Sequence, residues 1–368
     1  MTAAANAAFH AGRRNARLRV ALLAGFVTLS AGVLLVALAG HRHPAFDVVH
    51  SYLPASQAVL DGASPYAPAG DFSIVSETAY VYPPLLAELI SPLTFVSIGW
   101  AELVATIACL VLFGAALWLT GLRDPACYAA VALWAPTFNA IQSANASVLT
   151  LFLVAVAWRL RDASGVGRPL VEGLAIAVKP FAWPLVVWEA ARRRWHAAWA
   201  AIGFAVLIAA VSWAPLGFAG LGRFFQINRE VADAEAGRSY SVGGVLDLIG
   251  SGRAVALTAG LVVGGALLVA CARVARRGDD AGSLALALAA AFAVSPVVWQ
   301  HYLIVLVVPL AAARPRMSVL WVIPIGLWLA PTNGNGAWWQ TLLVGAVAAT
   351  LVAASIRPGE TGSRLATA

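Results

Sequence analysis

Long apolar runs, separated by short polar segments, follow one another along most of the 368-residue chain. The first run extends from about Leu18 to Gly40, and Arg13, Arg14, Arg17 and Arg19 lie before it or at its start. A run of this length can cross the ~30 Å hydrocarbon core of a bilayer and exceeds the apolar part of a signal peptide. The pattern therefore predicts a first transmembrane helix over residues 18–40.

Two of the apolar runs are interrupted by proline. Tyr80–Val96 contains three prolines together with Glu88, and Pro169–Ala191 is broken at Lys179, which Pro180 follows. Proline removes a backbone hydrogen bond and kinks or ends a helix. We therefore predict a half-helix at Tyr80–Val96 and a hairpin of two half-helices at Pro169–Ala191, with Lys179 near its tip.

The remaining apolar runs predict an all-α, polytopic membrane protein with about 10–12 transmembrane or half-membrane helices in a single domain over residues 1–368. The predicted crossings are Trp100–Leu122, Pro125–Phe138, Ser147–Leu160, Ala197–Leu216, Ala254–Ala272, Ser283–Val298, Tyr302–Ala313, Ser318–Ala330 and Trp338–Ile356. Two polar segments lie between them. Residues 41–83 include a short amphipathic helix over Tyr52–Asp61, and residues 217–252 form a second loop.

Composition excludes a soluble protein. Charged residues make up 11% of the chain and hydrophobic residues 61%, whereas a soluble domain is about 25% charged. The mean hydropathy is +0.81. The formal net charge of +7 arises from arginines that flank apolar runs, and no basic stripe with interleaved aromatic residues is present. We therefore expect membrane lipids, and no nucleic acid, as partners.

The distribution of the arginines also predicts how the chain is oriented in the membrane. If the N-terminus is cytoplasmic and the two broken segments do not cross, only Arg42, Arg223, Arg229, Arg238 and Arg253 fall outside. The positive-inside rule favours this layout. The polar features then collect on the opposite side, which predicts a multi-pass protein of the cell membrane whose active site faces away from the cytoplasm.

Several polar residues on that side are candidates for binding or catalysis. Asp47 follows the first helix and is either a general base or a solvated loop acid. Lys179, the chain's single lysine, either binds an anion such as phosphate or reaches to the membrane surface. His301 is a phosphate contact or an ordinary interfacial histidine, and Gln142 and Asn145 contact a substrate or form a polar turn. Trp299 can stack on a sugar ring.

The sequence contains no phosphate-binding P-loop, no HExxH, no CxxC and no nucleophile elbow. Any free energy for a reaction or for transport must therefore come from an activated donor in the membrane or from an ion gradient, unless the process needs none.

Five segments together resemble one family. They are FDVVHSYLPASQAVLDGASPY, YVYPPLLAELISPL, NAIQSANASVLTLFLVAVAW, GLAIAVKPFAWPLVVWEAARRRW and SPVVWQHYLIVLVVPL. In this order they resemble the polyprenyl-phosphate-sugar-dependent glycosyltransferases of family 87, in the GT-C superfamily. The resemblance implies a GT-C fold, a polyprenyl-phosphate sugar donor, inversion at the anomeric carbon and an extracytoplasmic active site. It implies no metal or other cofactor.

The resemblance also implies roles for individual residues. Asp47 takes the place of the base, and Tyr82, Gln142 and Asn145 match family positions that shape the site. From their charge, we expect Lys179 and His301 to hold the donor phosphate. We also predict His50, Tyr52 and Arg229 as substrate-binding residues. The chain departs from the family where Gly-Gln-x-Asn is usual, since it has Gln142-Ser143-Ala144-Asn145. A second acid often follows the first in the family, but His50 and Ser51 follow here.

The resulting hypothesis is an enzyme that moves mannose from polyprenyl-phosphate mannose to a lipid-linked or polysaccharide acceptor, with an α-(1→2) linkage. A close alternative is transfer of arabinofuranose from polyprenyl-phosphate arabinose. Broken helices are also typical of transporters, so a lipid-linked sugar transporter or flippase stays open, as does a structural subunit. Against transport, the sequence shows no inverted repeat and no series of membrane-embedded acids.

Overall fold

The computed structural model describes residue 20 and residues 23–40, 44–332 and 337–357, and every regular element in these ranges is helical. The α-helices are α1 (Leu23–Ala39), α2 (Leu53–Leu60), α3 (Phe72–Val75), α4 (Pro84–Ile90), α5 (Ile98–Leu119), α6 (Pro125–Ala132), α7 (Ala135–Gln142), α8 (Ala146–Arg159), α9 (Gly167–Val178), α10 (Pro184–Ala191), α11 (Trp195–Trp213), α12 (Leu221–Ala234), α13 (Val242–Leu248), α14 (Arg253–Ala275), α15 (Asp280–Val294), α16 (Val307–Ala313), α17 (Val319–Val322) and α18 (Trp338–Ser355). Short 3-10 segments cover Ser91–Phe95, Pro180–Ala182, Ala214–Leu216, Ala236–Arg238, Gln300–Leu306 and Ile323–Leu329, and Val48–Tyr52 is π-helical. The predicted all-α fold is confirmed.

Four helices, α5, α11, α14 and α18, are long and apolar enough to cross a membrane. A fifth span is formed by α7 and α8 if the pair, bent by 115°, is counted as one. Large apolar side chains such as Val111 of α5 and Val262 of α14 are exposed, as lipid contact requires. The prediction of 10–12 helices also counted shorter apolar helices. The structure contains such helices, among them α1 and α15. Part of the predicted first helix, over residues 18–22, lies outside the described residues except for residue 20.

The predicted span Pro125–Phe138 is wrong, because this segment is two helices. α6 ends at Ala132, Trp134 has an extended backbone, and α7 begins at the next residue with Pro136 in its first turn. Proline lacks the N–H that would continue the hydrogen bonds of α6. The indole of Trp134 donates to the Trp321 carbonyl at 2.7 Å, which stabilises the break.

The segment that carries Lys179 folds back on itself, as predicted. Lys179 ends α9 in an extended conformation (φ −142°, ψ 103°), which the following Pro180 favours. Arg168, near the start of α9, forms an ion pair with Glu189, near the end of α10, with 3.2 Å between Nη2 and Oε2. Because both ends of the segment lie together, Lys179 lies at the far end of a hairpin. Arg192 ties the base of the hairpin to Asp280 of α15 (2.8 Å).

The hairpin is positioned by close contact between α9 and α11. A methyl group at Gly173 would lie 2.6 Å from Cβ of Phe204 and 2.8 Å from the backbone nitrogen of Ala205. We expect Gly173→Ala to force the helices apart and to lower stability by about 1–3 kcal/mol. Thermal unfolding in detergent checks this. Gly203→Ala on α11 is the control, because its new methyl group meets nothing within 4 Å; equal melting temperatures for both variants would refute the prediction.

The two polar segments predicted outside the membrane pack on each other and contain more helix than predicted. The expected short helix near Tyr52–Asp61 is present as α2, and the 217–252 segment contains α12 and α13. Arg223 of α12 donates to the carbonyls of Ala67 (2.6 Å) and Pro68 (2.9 Å), and Asn228 donates to the carbonyl of Val81 (3.2 Å). We call residues 44–83 together with 217–252 the outer layer. It covers one end of the helix bundle.

Candidate active site

Asp47 lies at the start of the outer layer, immediately before the π-helical segment Val48–Tyr52. Its backbone N–H donates to the Ser143 carbonyl (3.0 Å), and the N–H of Ala45 donates to the Gln142 carbonyl (2.7 Å). The carboxylate oxygen Oδ2 accepts a hydrogen bond of 2.6 Å from Nδ2 of Asn145. Asp47 is therefore attached, through backbone and side chain, to the break between α7 and α8.

Two residues produce that break. Ala144 adopts a left-handed backbone with φ +49°, and Asn145 is extended and caps α8, because its Oδ1 accepts from the N–H of Ser147 at 2.8 Å. Since Oδ1 serves as the cap, the amide nitrogen is the group that faces Asp47. Asn145 thus presents a fixed donor to the carboxylate.

Lys179 lies on the other side of the α8 N-terminus. Its Nζ donates to Oγ of Ser147 (2.8 Å) and lies 3.7 Å from the ring centroid of Tyr302 and 5.7 Å from that of Tyr82. The residue is only 3% exposed. These three contacts are neutral groups, although the charge of the Asp47 carboxylate also acts on the ammonium. A buried ammonium that touches no anion among the described residues is costly, so the position suits an anionic ligand.

Tyrosines connect the outer layer to the site. Tyr52 and Tyr82 pack edge to face with 5.5 Å between ring centroids. The hydroxyl of Tyr52 accepts from the N–H of Ala146 (3.2 Å), and Tyr66 donates to the carbonyl of Tyr82 (3.0 Å). These bonds hold the two predicted substrate-binding tyrosines rigidly beside Asp47 and Lys179.

His301 is held by its neighbour Gln300. The Gln300 side chain accepts from Nδ2 of Asn139 (2.6 Å) and donates to the Leu327 carbonyl (2.8 Å). His301 is buried, and its Nε2 has no hydrogen-bond partner among the described residues; the same is true of the indole nitrogen of Trp299. Two ring nitrogens are therefore available to a bound molecule.

Several cavities surround these side chains, and Asp47 and Lys179 line different ones. The largest has a volume of about 410 Å³ and is lined by Lys179, Tyr82, Trp299, Tyr302 and mostly apolar residues. We call it the lysine cavity. Its apolar wall includes Phe181, Trp183, Phe224, Val294 and Pro296.

Two smaller cavities, of about 30 and 140 Å³, share Asp47, Glu77 and Trp299 as lining residues, and together we call them the acidic chamber. Gln142 and His301 line its larger part. Val81, Tyr82, Val231 and Trp299 line both the lysine cavity and the smaller part of the acidic chamber, so the two cavities are adjacent.

The surroundings of Asp47 change its basicity. Burial raises the pKa of its carboxyl from the ordinary 3.8 to about 6, although the hydrogen bond from Asn145 and the charge of Lys179 act in the opposite direction. The group is thus mostly ionised at neutral pH and is a stronger base than a surface aspartate. Both properties suit removal of a proton from a hydroxyl group.

Two predicted substrate-binding residues are not brought to the site. His50 is exposed and packs on Phe46 with 4.6 Å between ring centroids, while Ser51 lines the acidic chamber. Arg229 is exposed on α12, while its neighbour Asn228 lines the lysine cavity. In both cases the adjacent residue, and not the predicted one, lines the site.

Other residues of the site were missed by sequence reasoning. The sequence indicates Ser147 only indirectly, because a buried lysine such as Lys179 needs an oxygen atom as a hydrogen-bond acceptor. Glu77 (φ +63°) and Glu235 line the acidic chamber. Both lie in polar segments where a single acid is unremarkable, so no sequence signal distinguishes them.

The comparison with known families agrees with the resemblance. The family model described as Glycosyltransferase family 87 matches residues 80–299, more than half of the chain. The matched range includes Tyr82, Asn145, Lys179 and Trp299 and does not include Asp47 or His301. The chain matches none of the curated proteins and none of the solved structures. On the strength of the family match and the helical membrane fold, the chain is a glycosyltransferase and belongs to glycosyltransferase family 87.

Proposed function

We propose that the protein transfers a sugar from a polyprenyl-phosphate donor to an acceptor hydroxyl group, with inversion at the anomeric carbon. The observation that carries the proposal is that Asp47 and Lys179, which have opposite charges, line two adjacent cavities. The carboxylate of Asp47 lies in the acidic chamber, and the ammonium of Lys179 lies in the lysine cavity. A transfer reaction needs a base where the acceptor loses its proton and a cation where the leaving group gains charge.

The lysine cavity suits the donor phosphate. Its single ammonium lies among aromatic and aliphatic side chains, including Phe181 and Trp183. A phosphate joined to an apolar chain offers the matching combination, because lysine binds phosphate as a point charge. The sequence has no nucleotide-binding loop, which favours a donor carried by the membrane.

The chemical step balances without a further reactant. Asp47 takes the proton of the acceptor hydroxyl, and the acceptor oxygen forms a bond to the anomeric carbon from the side opposite the phosphate. The bond between the anomeric carbon and the phosphate oxygen breaks, and its electron pair leaves with the polyprenyl phosphate. The phosphate thereby gains one negative charge, which Lys179 stabilises.

His301 takes a different role from the one expected. It lines the acidic chamber with Asp47 and is not among the residues that line the lysine cavity. We therefore assign the phosphate to Lys179, and we assign the free Nε2 of His301 to a hydroxyl of the acceptor or of the transferred sugar.

For the substrates, we propose polyprenyl-phosphate mannose as donor, a lipid-linked or polysaccharide acceptor, and an α-(1→2) product, in the cell membrane with the site facing outward. These choices follow the resemblance to the family. Polyprenyl-phosphate arabinose is the alternative donor, because the residues that line the cavities do not distinguish the two sugars.

The test is transfer by the purified protein in nanodiscs. Radiolabelled polyprenyl-phosphate mannose, and separately the arabinose donor, is supplied with a crude extract of lipid and polysaccharide acceptors. We expect label to move to an acceptor and the anomeric configuration of the product to be inverted. Retained configuration would overturn the mechanism. Movement of intact donor across proteoliposomes, without transfer, would replace it by transport.

The pH dependence of transfer follows from the carboxyl of Asp47. Burial raises its pKa to about 6, with Lys179, Glu77, Asn145 and Ser143 as the facing groups that contribute. The protonated form cannot accept a proton, so we expect kcat/KM to fall about tenfold per pH unit below pH 6. Initial rates between pH 5 and 8 check this, and a rate that rises on acidification would contradict it.

A further inference from the structure

A separate cavity lies at the end of the helix bundle opposite the outer layer. α11 begins at Trp195 and leads into the 217–252 part of the outer layer, and α14 leaves that part at Arg253 and ends at Ala275. Both helices are long and apolar enough to cross a membrane. The start of α11 and the end of α14 therefore lie at the other boundary of the bilayer. The cavity there has a volume of about 320 Å³ and is lined by Ala191, Arg192, Arg193, Ala275 and Arg276. We call it the arginine cavity.

The arginine cavity combines space with positive charge. α10 ends at Ala191 and α14 ends at Ala275, so each helix contributes a methyl group where a longer side chain would fill the space. Among the described residues, no acidic side chain lines the cavity. Its lining therefore suits an anion.

Two of the three arginines are available to that anion. Arg192 is already paired, since its Nη2 donates to Asp280 at 2.8 Å and its Nη1 lies 3.5 Å from Glu189. Arg193 and Arg276 are exposed, and their side chains form no hydrogen bond, ion pair or ring contact within the described part of the chain. They belong to turns that are far apart in the sequence, so the fold brings two free guanidinium groups to one cavity.

The backbone at Arg193 supports a role for its side chain. Arg193 has φ +62°, a left-handed conformation that glycine adopts more easily at the end of a helix. Its N–H donates to the carbonyl of Ala190 (2.9 Å), and the N–H of Arg194 donates to the carbonyl of Glu189 (3.0 Å). These bonds satisfy carbonyl oxygens at the end of α10 that would otherwise repel an anion. The turn thus places a guanidinium, where glycine would suffice for the backbone, beside a helix end that is capped.

The surroundings of the cavity indicate an anion that belongs to a lipid. Trp195 and Trp199, in the first turns of α11, are 58% and 68% exposed, and exposed tryptophans at the end of a membrane helix lie at the level of the lipid headgroups. Val269 of α14, closer to the middle of the span, is 51% exposed, as contact with acyl chains requires. A lipid at this boundary has its headgroup beside the arginines and its chains beside the two helices.

We propose that the arginine cavity binds the phosphate of an anionic membrane phospholipid, with Arg193 and Arg276 as the contacting cations. The planar guanidinium group matches the geometry of phosphate oxygens, and basic pockets between membrane helices are suited to such headgroups. This site does not depend on the proposed function, because neither Asp47 nor Lys179 takes part in it.

The test measures lipid binding to the purified protein in detergent by native mass spectrometry, which counts bound molecules. The probes are dioctanoyl phosphatidylglycerol, which is anionic, dioctanoyl phosphatidylcholine, which has no net charge, and inorganic phosphate. We expect the anionic lipid to bind at least tenfold more tightly than the zwitterionic one. Arg193→Gln and Arg276→Gln should each reduce this ratio by a factor of about five, and the double variant should reduce it further. Binding of phosphatidylcholine should not change, which checks that each variant is folded.

Arg159→Gln is the matched control. Arg159 is the exposed last residue of α8, whose first residue, Ala146, lies at the active site, so Arg159 lies at the same end of the bundle as the arginine cavity but outside its lining. This variant should keep the wild-type ratio. Equal binding of the two lipids by the wild type, an unchanged ratio in the double variant, or an equal reduction in Arg159→Gln would overturn the proposal. Binding of inorganic phosphate without preference for the anionic lipid would also overturn it, because the ligand would then be a free anion. Absence of sugar transfer would count against the proposed function alone.

Discussion

Asp47→Asn is expected to reduce the rate of transfer by a factor of about 10²–10⁴, the range for loss of a positioned general base. Asparagine fills the same space and still offers an oxygen to Nδ2 of Asn145, which donates to Asp47 at 2.6 Å. The fold and the lysine cavity should therefore persist. Single-turnover rates with bound donor measure the chemical step, and equilibrium binding of the donor should change by less than about threefold.

Asp61→Asn controls for the loss of a carboxylate from the outer layer. Asp61 is exposed at the end of α2 and accepts a local hydrogen bond from Gln57 (3.0 Å), so the transfer rate of the variant should equal that of the wild type. An Asp47→Asn protein that retains more than a tenth of the wild-type single-turnover rate would show that another group removes the proton. A transporter or a structural subunit would also be insensitive to this change, so the variant separates the classes of function.

The sequence predicts those residues of the site that are polar or charged within otherwise apolar segments. Lys179 is the only lysine and interrupts an apolar run, and Asn145 lies at a polar break between two apolar segments. Both are at the site because burying such groups in a membrane protein costs too much free energy without a compensating interaction. The long spans α5, α11 and α14 are equally predictable, since lipid requires an uninterrupted apolar helix.

Other features depend on contacts that no local pattern specifies. The break before α7 needs the indole of Trp134 to reach Trp321, far along the chain (2.7 Å). The preference for Ser51 over His50 arises from a π-helical turn, which shifts the register of side chains relative to an α-helix. Glu235, directly after α12, lines the acidic chamber because α12 packs against α3 within the outer layer. Each is a tertiary effect, so the helices were predictable while the acceptor side of the site was not.

Lys179→Met is expected to slow the chemical step by a factor of about 10²–10³, as for removal of one charge-stabilising donor. Methionine keeps the length and the apolar stem of the side chain. It also removes a buried ammonium whose described contacts are Ser147 (2.8 Å) and the tyrosine rings, so stability should be unchanged or higher. Ser147→Ala is the matched control, because it removes one hydrogen bond and leaves the charge. Its loss should be no more than about tenfold.

If Lys179 binds the phosphate, the Lys179→Met variant should also differ from the wild type in its inhibition by the product. Released polyprenyl phosphate carries more negative charge than the bound donor, so its affinity should fall more than that of the donor when the ammonium is removed. Inhibition by polyprenyl phosphate should weaken at least tenfold in Lys179→Met, and inhibition by uncharged polyprenol should stay the same. If both inhibitors weaken equally, Lys179 shapes the cavity and does not bind phosphate. If neither weakens, the phosphate lies elsewhere, and the placement of Asp47 and Lys179 in adjacent cavities has no role in the reaction.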